Sequence, residues 1–198
     1  MIDRNKKIIF IHIPRTGGTS VEKVLMGKIP NYKNFCEEFC WGVSGCEMTQ
    51  HWPLYKILEF CQADKNDYFK FSFVRNPFDR LVSVFCYLKS FYEKRHSSFD
   101  GWLRFVCDKA ESSNYRYDSH EAPQSTFFQR DDLDFLGRFE NFEKDFSAVL
   151  EKLEISAKIP HINQSHRNKN YMDYFNKEAR KMVENAYRTD FELFEYAK

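Results

Sequence analysis

Apolar and polar positions alternate along the chain in blocks that read as strands and helices in turn. Residues 7–13 (KIIFIHI) are a short β-branched apolar run closed by Pro14 and two glycines, the pattern of a strand buried on both faces. Residues 19–26 then predict a helix, so a strand, a glycine loop and a helix open the chain. Residues 28–50 show no period and predict a long irregular segment, of the kind that often lines an active site. Pro53 suits the first position of a short helix to about residue 62, with Leu54, Ile57, Leu58 and Cys61 on one face. Residues 68–74 (YFKFSFV) alternate aromatic and polar side chains and predict a second strand.

Arg75, Asn76 and Pro77 turn out of that strand into a helix expected to reach about residue 94. Leu81, Phe85, Leu88 and Tyr92 form its apolar stripe, and Asp79, Ser83 and Ser90 lie off it. Residues 99–109 predict a helix, 111–129 a less regular stretch rich in aromatics, 134–139 a third strand and 140–153 a helix. Residues 155–174 read as a basic loop region, and Asn176 as the cap of a last helix to about residue 187. Strands alternating with helices predict a single three-layer α/β domain over residues 1–198, with a mainly parallel central sheet.

Charge narrows the partners. The 198 residues sum to a net charge of +1, which argues against a general nucleic-acid binder, whose affinity rests on excess Lys and Arg. No apolar run approaches the ~20 residues of a membrane span. The first apolar run is too short and too soon interrupted for a secretory signal, so a cytoplasmic location is expected. The six cysteines are then thiols. Cys36, Cys40 and Cys46 lack paired C-x-x-C spacing, which leaves no metal site expected, and Cys86 and Cys107 fall in apolar helical company.

The loop HIPRTGGTS carries the first candidate chemistry. Gly17 and Gly18 can take backbone angles that turn successive N–H groups toward one anion. The helix start at Thr19 adds its positive end, Thr19 and Ser20 add hydroxyls, and Arg15 adds a fixed charge. With Pro14 and Thr16 these residues make a phosphate cradle; the competing reading is a tight turn with Arg15 in solvent. It is not a Walker A loop, because the Lys and the magnesium-ligating Ser/Thr of that motif are missing. A second candidate sits on the next strand-to-helix crossing, where Arg75 at the strand end and Ser83 two turns into the helix could grip a second phosphate.

With these two motifs in view, the sequence resembles the sulfotransferase superfamily that uses 3'-phosphoadenosine 5'-phosphosulfate (PAPS), most closely its family 2-like branch of short bacterial and carbohydrate enzymes. The resemblance rests on IFIHIPRTGGTS and FVRNPFDRLVSVF, and more weakly on GRFENFEKDF (137–146) and PHINQSHRNKNYMDYF (160–175). It implies a P-loop-like fold, the 5'-phosphosulfate on the glycine loop, the 3'-phosphate on Arg75 and Ser83, and no metal. Ser165, Arg167 and Lys169 match the segment that closes over PAPS. The reaction implied is transfer of a sulfuryl group to an acceptor hydroxyl, with a glycan the acceptor expected.

Arg15 stands where the family usually has Lys; an arginine stabilises a leaving phosphate but does not readily give it a proton. His51, between the two motifs, suits the base that deprotonates the acceptor, with Glu47, Glu37 and Glu38 as fallbacks. His120 and Gln124, in HEAPQ, resemble a segment near the acceptor, and Trp52, Trp41 or Tyr117 could stack on a sugar. A kinase-like nucleotide transferase and a non-catalytic nucleotide-binding scaffold are the competing functions.

Overall fold

In a computed structural model the described residues are 1–28, 49–92, 95–96, 98–116, 119–160, 167–168 and 170–197. Strand β2 (Ile8–Ile11) is buried throughout and pairs in parallel with β3 (Phe69–Val74), which pairs in parallel with β4 (Phe135–Arg138). A two-residue strand β1 (Ile2–Asp3), which the hydrophobic pattern did not reveal, adds to the other side of β2 in antiparallel fashion. The sheet order is β1-β2-β3-β4, so the mainly parallel α/β arrangement expected from the alternating blocks is present.

The strand period of two decides the packing. Ile8 and Phe10 of β2, with Phe71 and Phe73 of β3, join Val21, Val24 and Leu25 of helix α1 (Gly18–Lys28) and Phe146, Val149 and Leu150 of α6 (Phe142–Lys152). Ile9 and Ile11 point the other way, into a cluster with Leu54, Ile57 and Cys61 of α2 (Leu54–Cys61) and with Phe127 and Phe128. Pro53 stands just ahead of α2, with extended angles, rather than in its first turn.

Helix α3 (Pro77–Tyr87) ends earlier than its apolar stripe suggests. Leu88 has φ −103° and ψ 21°, which breaks the ladder before a single turn, α4 (Lys89–Tyr92), resumes it. Residues 77–85 of α3 are all buried, including Asp79 and Ser83, because the polar flank of the helix faces other protein and not solvent. Its apolar flank packs with α5 (Phe99–Glu111), α7 (Lys177–Ala186) and α8 (Arg188–Leu193) in a third cluster that holds Trp102, Phe175 and Tyr187. Asn176 caps α7 as expected, its Oδ1 accepting from the Ala179 N–H at 2.8 Å. α8 follows without a sequence signal of its own and buries Asp190 and Phe191.

Among the described residues no helix is long and apolar enough to cross a membrane. Cys61 and Cys107 are buried free thiols and Cys86 is half-buried; Cys36, Cys40 and Cys46 lie outside the described residues. Burial pushes the Cys107 thiol up to about 12, so it is an inert packing group.

Candidate anion-binding and proton-accepting site

Three parallel strands end on the same edge of the sheet, and each hands its next residues to one place. β2 leads through His12, Ile13 and Pro14 into the glycine loop, β3 ends at Arg75, and β4 runs into Phe139. In open α/β sheets this carboxyl edge is where ligands bind.

Sterics of the glycine loop leave little choice of sequence. Gly17 has φ +92°, and a Cβ there would also lie 2.7 Å from the Phe142 ring. A Cβ on Gly18 would overlap the His12 imidazole. Arg15 itself holds φ +67°, a left-handed conformation that costs a non-glycine residue on the order of 1 kcal/mol and is concentrated at functional sites. The Thr16 hydroxyl donates to the Ile13 carbonyl at 2.9 Å and is fully buried, so it braces the loop from inside. The Ser20 N–H donates to the Gly17 carbonyl at 2.9 Å to start α1. The positive end of the helix dipole, which suits an anion, lies at this turn. Ser20 is buried and Thr19 exposed.

Arg15 and Ser83, expected on separate motifs, meet directly: Arg15 Nε donates to Ser83 Oγ at 3.0 Å. The Arg15 guanidinium also lies 4.2 Å from the centre of the Tyr87 ring. Arg75 Nη1 donates to the Arg15 carbonyl at 3.0 Å, and its guanidinium carbon sits 3.9 Å from the Phe139 ring centre. Arg75 Nε donates to Asp79 Oδ2 at 2.7 Å, and the other oxygen of that carboxylate pairs with Arg167. Two guanidiniums, Arg75 and Arg167, therefore share one buried carboxylate, and Arg15 is tied to Arg75 through its carbonyl. Burial first, then the neighbouring Arg75, push Arg15 down to about 10, which leaves it charged at neutral pH. Burial likewise lowers Arg75, against the opposing pull of Asp79. Ser165 and Lys169 lie outside the described residues, as do Glu37, Glu38, Glu47, Trp41 and Tyr117.

Beside this cluster stand three histidines. His51 meets His12 edge to face with centroids 4.6 Å apart, and His120 with centroids 5.2 Å apart. His120 in turn touches Tyr87, the ring under Arg15, at 6.3 Å. His51 Nδ1 lies 3.0 Å from the His12 carbonyl, an atom that only accepts, so Nδ1 carries the proton and Nε2 keeps the lone pair. Burial, followed by His12 and His120, holds His51 well below its ordinary 6.5. Burial takes His120 down to about 4. Both are therefore neutral at pH 7. His12 has its own partner: Nδ1 sits 2.7 Å from Glu22 Oε1, and Gln50 Nε2 donates to the other oxygen of that carboxylate at 2.6 Å.

The other two residues expected at the acceptor stand apart from the histidines in different ways. Trp52 packs on Phe60, centroids 5.4 Å apart, and against the Ile9 and Ile11 cluster. Gln124 has no exposed surface, and its carboxamide is spent on the backbone of Arg75. The sequence reading missed Asp79, Arg80 and Asp190. Asp79 was findable, four residues after Arg75 across the start of a helix. Arg80 donates to the Pro14, His120 and Ala122 carbonyls, and nothing in its local sequence marks it for that. Among the described residues no group of three or more His, Cys, Asp or Glu is arranged to hold a metal ion.

The model of the sulfotransferase family matches residues 1–197. An uncharacterized protein of the archaeon Archaeoglobus fulgidus is 32% identical over 95 residues, covering 46% of this chain and 72% of the relative. No solved structure matches.

Proposed function

The chain belongs to the sulfotransferase family, and on that premise we propose that it transfers the sulfuryl group of PAPS to a hydroxyl of a carbohydrate acceptor. The observation that carries the reading is the meeting of the two anion motifs: Arg15 from the glycine loop and Ser83 from α3 share a hydrogen bond, with Arg75 bonded to the Arg15 carbonyl. Loop and strand end are thus joined side by side, an arrangement suited to a ligand with two phosphates. The loop suits a phosphate, since Gly17 takes φ +92° and the positive end of the α1 dipole lies beside it. In the same reading the domain spans residues 1–198, is cytoplasmic and has the three-layer, P-loop-like architecture; the division of β2 and β3 side chains between two separate cores supports that last point.

PAPS supplies an activated sulfuryl group on a phosphate leaving group. Pro14 to Ser20 hold the 5' end, Arg75 and Ser83 the 3'-phosphate, with Arg167, Ser165 and Lys169 closing over it. In the in-line displacement the bond from sulfur to the phosphate oxygen breaks as the bond to the acceptor oxygen forms. Arg15 meets the charge that develops on the leaving phosphate. The acceptor proton passes to His51 Nε2, the nitrogen that the bond to the His12 carbonyl leaves basic. A group neutral at pH 7 is in the right state to accept it. His120, also neutral and next to His51, borders the acceptor.

Transfer of radiolabelled sulfate from PAPS to oligosaccharides tests the reading. The wild type is expected to be active and His51→Ala to lose about 10²–10⁴ in kcat, the usual worth of a positioned base. Arg15→Ala is expected to lose about 10²–10³, the worth of one oxyanion donor. A folded wild type with no transfer and no affinity for adenosine 3',5'-bisphosphate overturns it.

A further inference from the structure

Arg75 lies one residue past the last paired position of β3, since Val74 pairs with Arg138 and the ladder to β2 stops at Ser72. Its backbone N–H and C=O therefore have no strand partner, yet both are bonded. Gln124 Oε1 accepts from the Arg75 N–H at 2.9 Å, and Gln124 Nε2 donates to the Arg75 carbonyl at 2.8 Å. One carboxamide replaces the missing strand, and it is fully buried.

That carboxamide is itself fixed from below. The Gln124 N–H donates to Asp190 Oδ2 and the Ser125 N–H to Asp190 Oδ1, each at 2.8 Å, so the carboxylate of α8 caps the turn that begins at Gln124. On the other side of the same segment Arg80 donates to the His120 and Ala122 carbonyls at 2.7 and 2.8 Å, and to Pro14 at the mouth of the glycine loop. Arg80 and Asp190 have no exposed surface and attract each other as buried opposite charges. Segment 120–125 is thus held at both ends, and its one inward amide grips the residue on which the 3'-phosphate reading depends.

We propose that Gln124, anchored by Asp190, is a positioning residue that sets the backbone of Arg75 so that its guanidinium meets the 3'-phosphate of the nucleotide. The inference rests on the PAPS reading above, and deepens it by moving Gln124 from the acceptor to the nucleotide. A buried two-point clamp restricts the strand end to one orientation, and the guanidinium, already bonded to Asp79 and to the Arg15 carbonyl, then needs no rearrangement.

The test compares two ligands that differ only in the 3'-phosphate. Titration calorimetry of adenosine 3',5'-bisphosphate and adenosine 5'-monophosphate is run on wild type and on Gln124→Met, which keeps the length and loses both bonds. The variant is expected to bind the bisphosphate about tenfold more weakly, the scale of one charge-assisted contact, and the monophosphate within twofold of wild type. If Gln124→Met does not fold, Gln124→Asn, which keeps the amide but shortens its reach, is expected to show the same selective loss. A variant that weakens both nucleotides equally, or neither, has lost only a structural bond and overturns the positioning role. A wild type that does not bind the bisphosphate overturns the function and this inference together, so the two failures are told apart.

Discussion

At the scale of single residues the site is a set of side chains whose charge states burial has already chosen. His51 is neutral because it is desolvated and flanked by two other imidazoles, and His120 is lowered to about 4 by burial. A base must be deprotonated to act, so kcat/KM is expected to be flat from pH 7 to 9 and to fall only well below pH 6.5, measurable in transfer assays with PAPS. A profile that instead falls through an ordinary pKa near 6.5 excludes His51 as the group reported. The same histidines couple pH to stability. Their folded pKa values lie below the unfolded 6.5, so on acidification the unfolded chain takes up protons first. Stability is therefore present in full above pH 6.5 and is lost as pH falls from there, for His120 down to about 4, by up to ~1.4 kcal/mol per unit for each histidine. Thermal unfolding across that interval checks the sign, and His120→Asn is expected to flatten the slope.

The elements that present these residues were legible where local chemistry fixes them. KIIFIHI followed by two glycines reads as strand, loop and helix because β-branching, φ freedom and helix start are all local properties, and Asn176 reads as a cap for the same reason. β1 and α8 were not legible. A two-residue strand has too few positions to show a period, and α8 is set by Asp190 reaching a turn 66 residues away in sequence. The clamp of Gln124 on Arg75 was hidden for a similar reason: PQ in an irregular stretch carries no sign of which backbone it will meet. Capping separates site from scaffold at this scale. Asn76 Oδ1 accepts from Phe78 and Asp79 at the start of α3, which carries Asp79 and Ser83, whereas Asn176 caps α7, away from the site. Asn76→Ala and Asn176→Ala are each expected to cost about 1 kcal/mol of unfolding free energy in urea. Only Asn76→Ala is expected to weaken adenosine 3',5'-bisphosphate as well; equal binding in both variants means α3 does not depend on its cap to hold the site.

Over the whole molecule a net charge of +1 conceals a local concentration of charge, with Arg75 and Arg167 both paired to Asp79 and Arg15 joined to Arg75 through its carbonyl. The basic excess of residues 155–181 and the acidic excess of 131–154, visible in the sequence, balance in sum while Arg167 delivers part of the former to the carboxyl edge of the sheet. Asp79 is the counter-charge that makes this gathering tolerable in a buried place, since Arg75 and Asp79 are 5% and 10% exposed. Removing one partner of a buried ion pair leaves charge uncompensated, so Asp79→Asn is expected to lower stability by about 3 kcal/mol. An anion that sits among the same guanidiniums should then replace what the variant lacks. Added inorganic phosphate or adenosine 3',5'-bisphosphate is expected to raise the Tm of Asp79→Asn by more than that of the wild type, and high concentrations of chloride to shrink the difference. Scanning calorimetry with and without each anion measures it. Equal shifts in the two proteins would mean that the anion binds elsewhere and that the arginine cluster serves the fold alone.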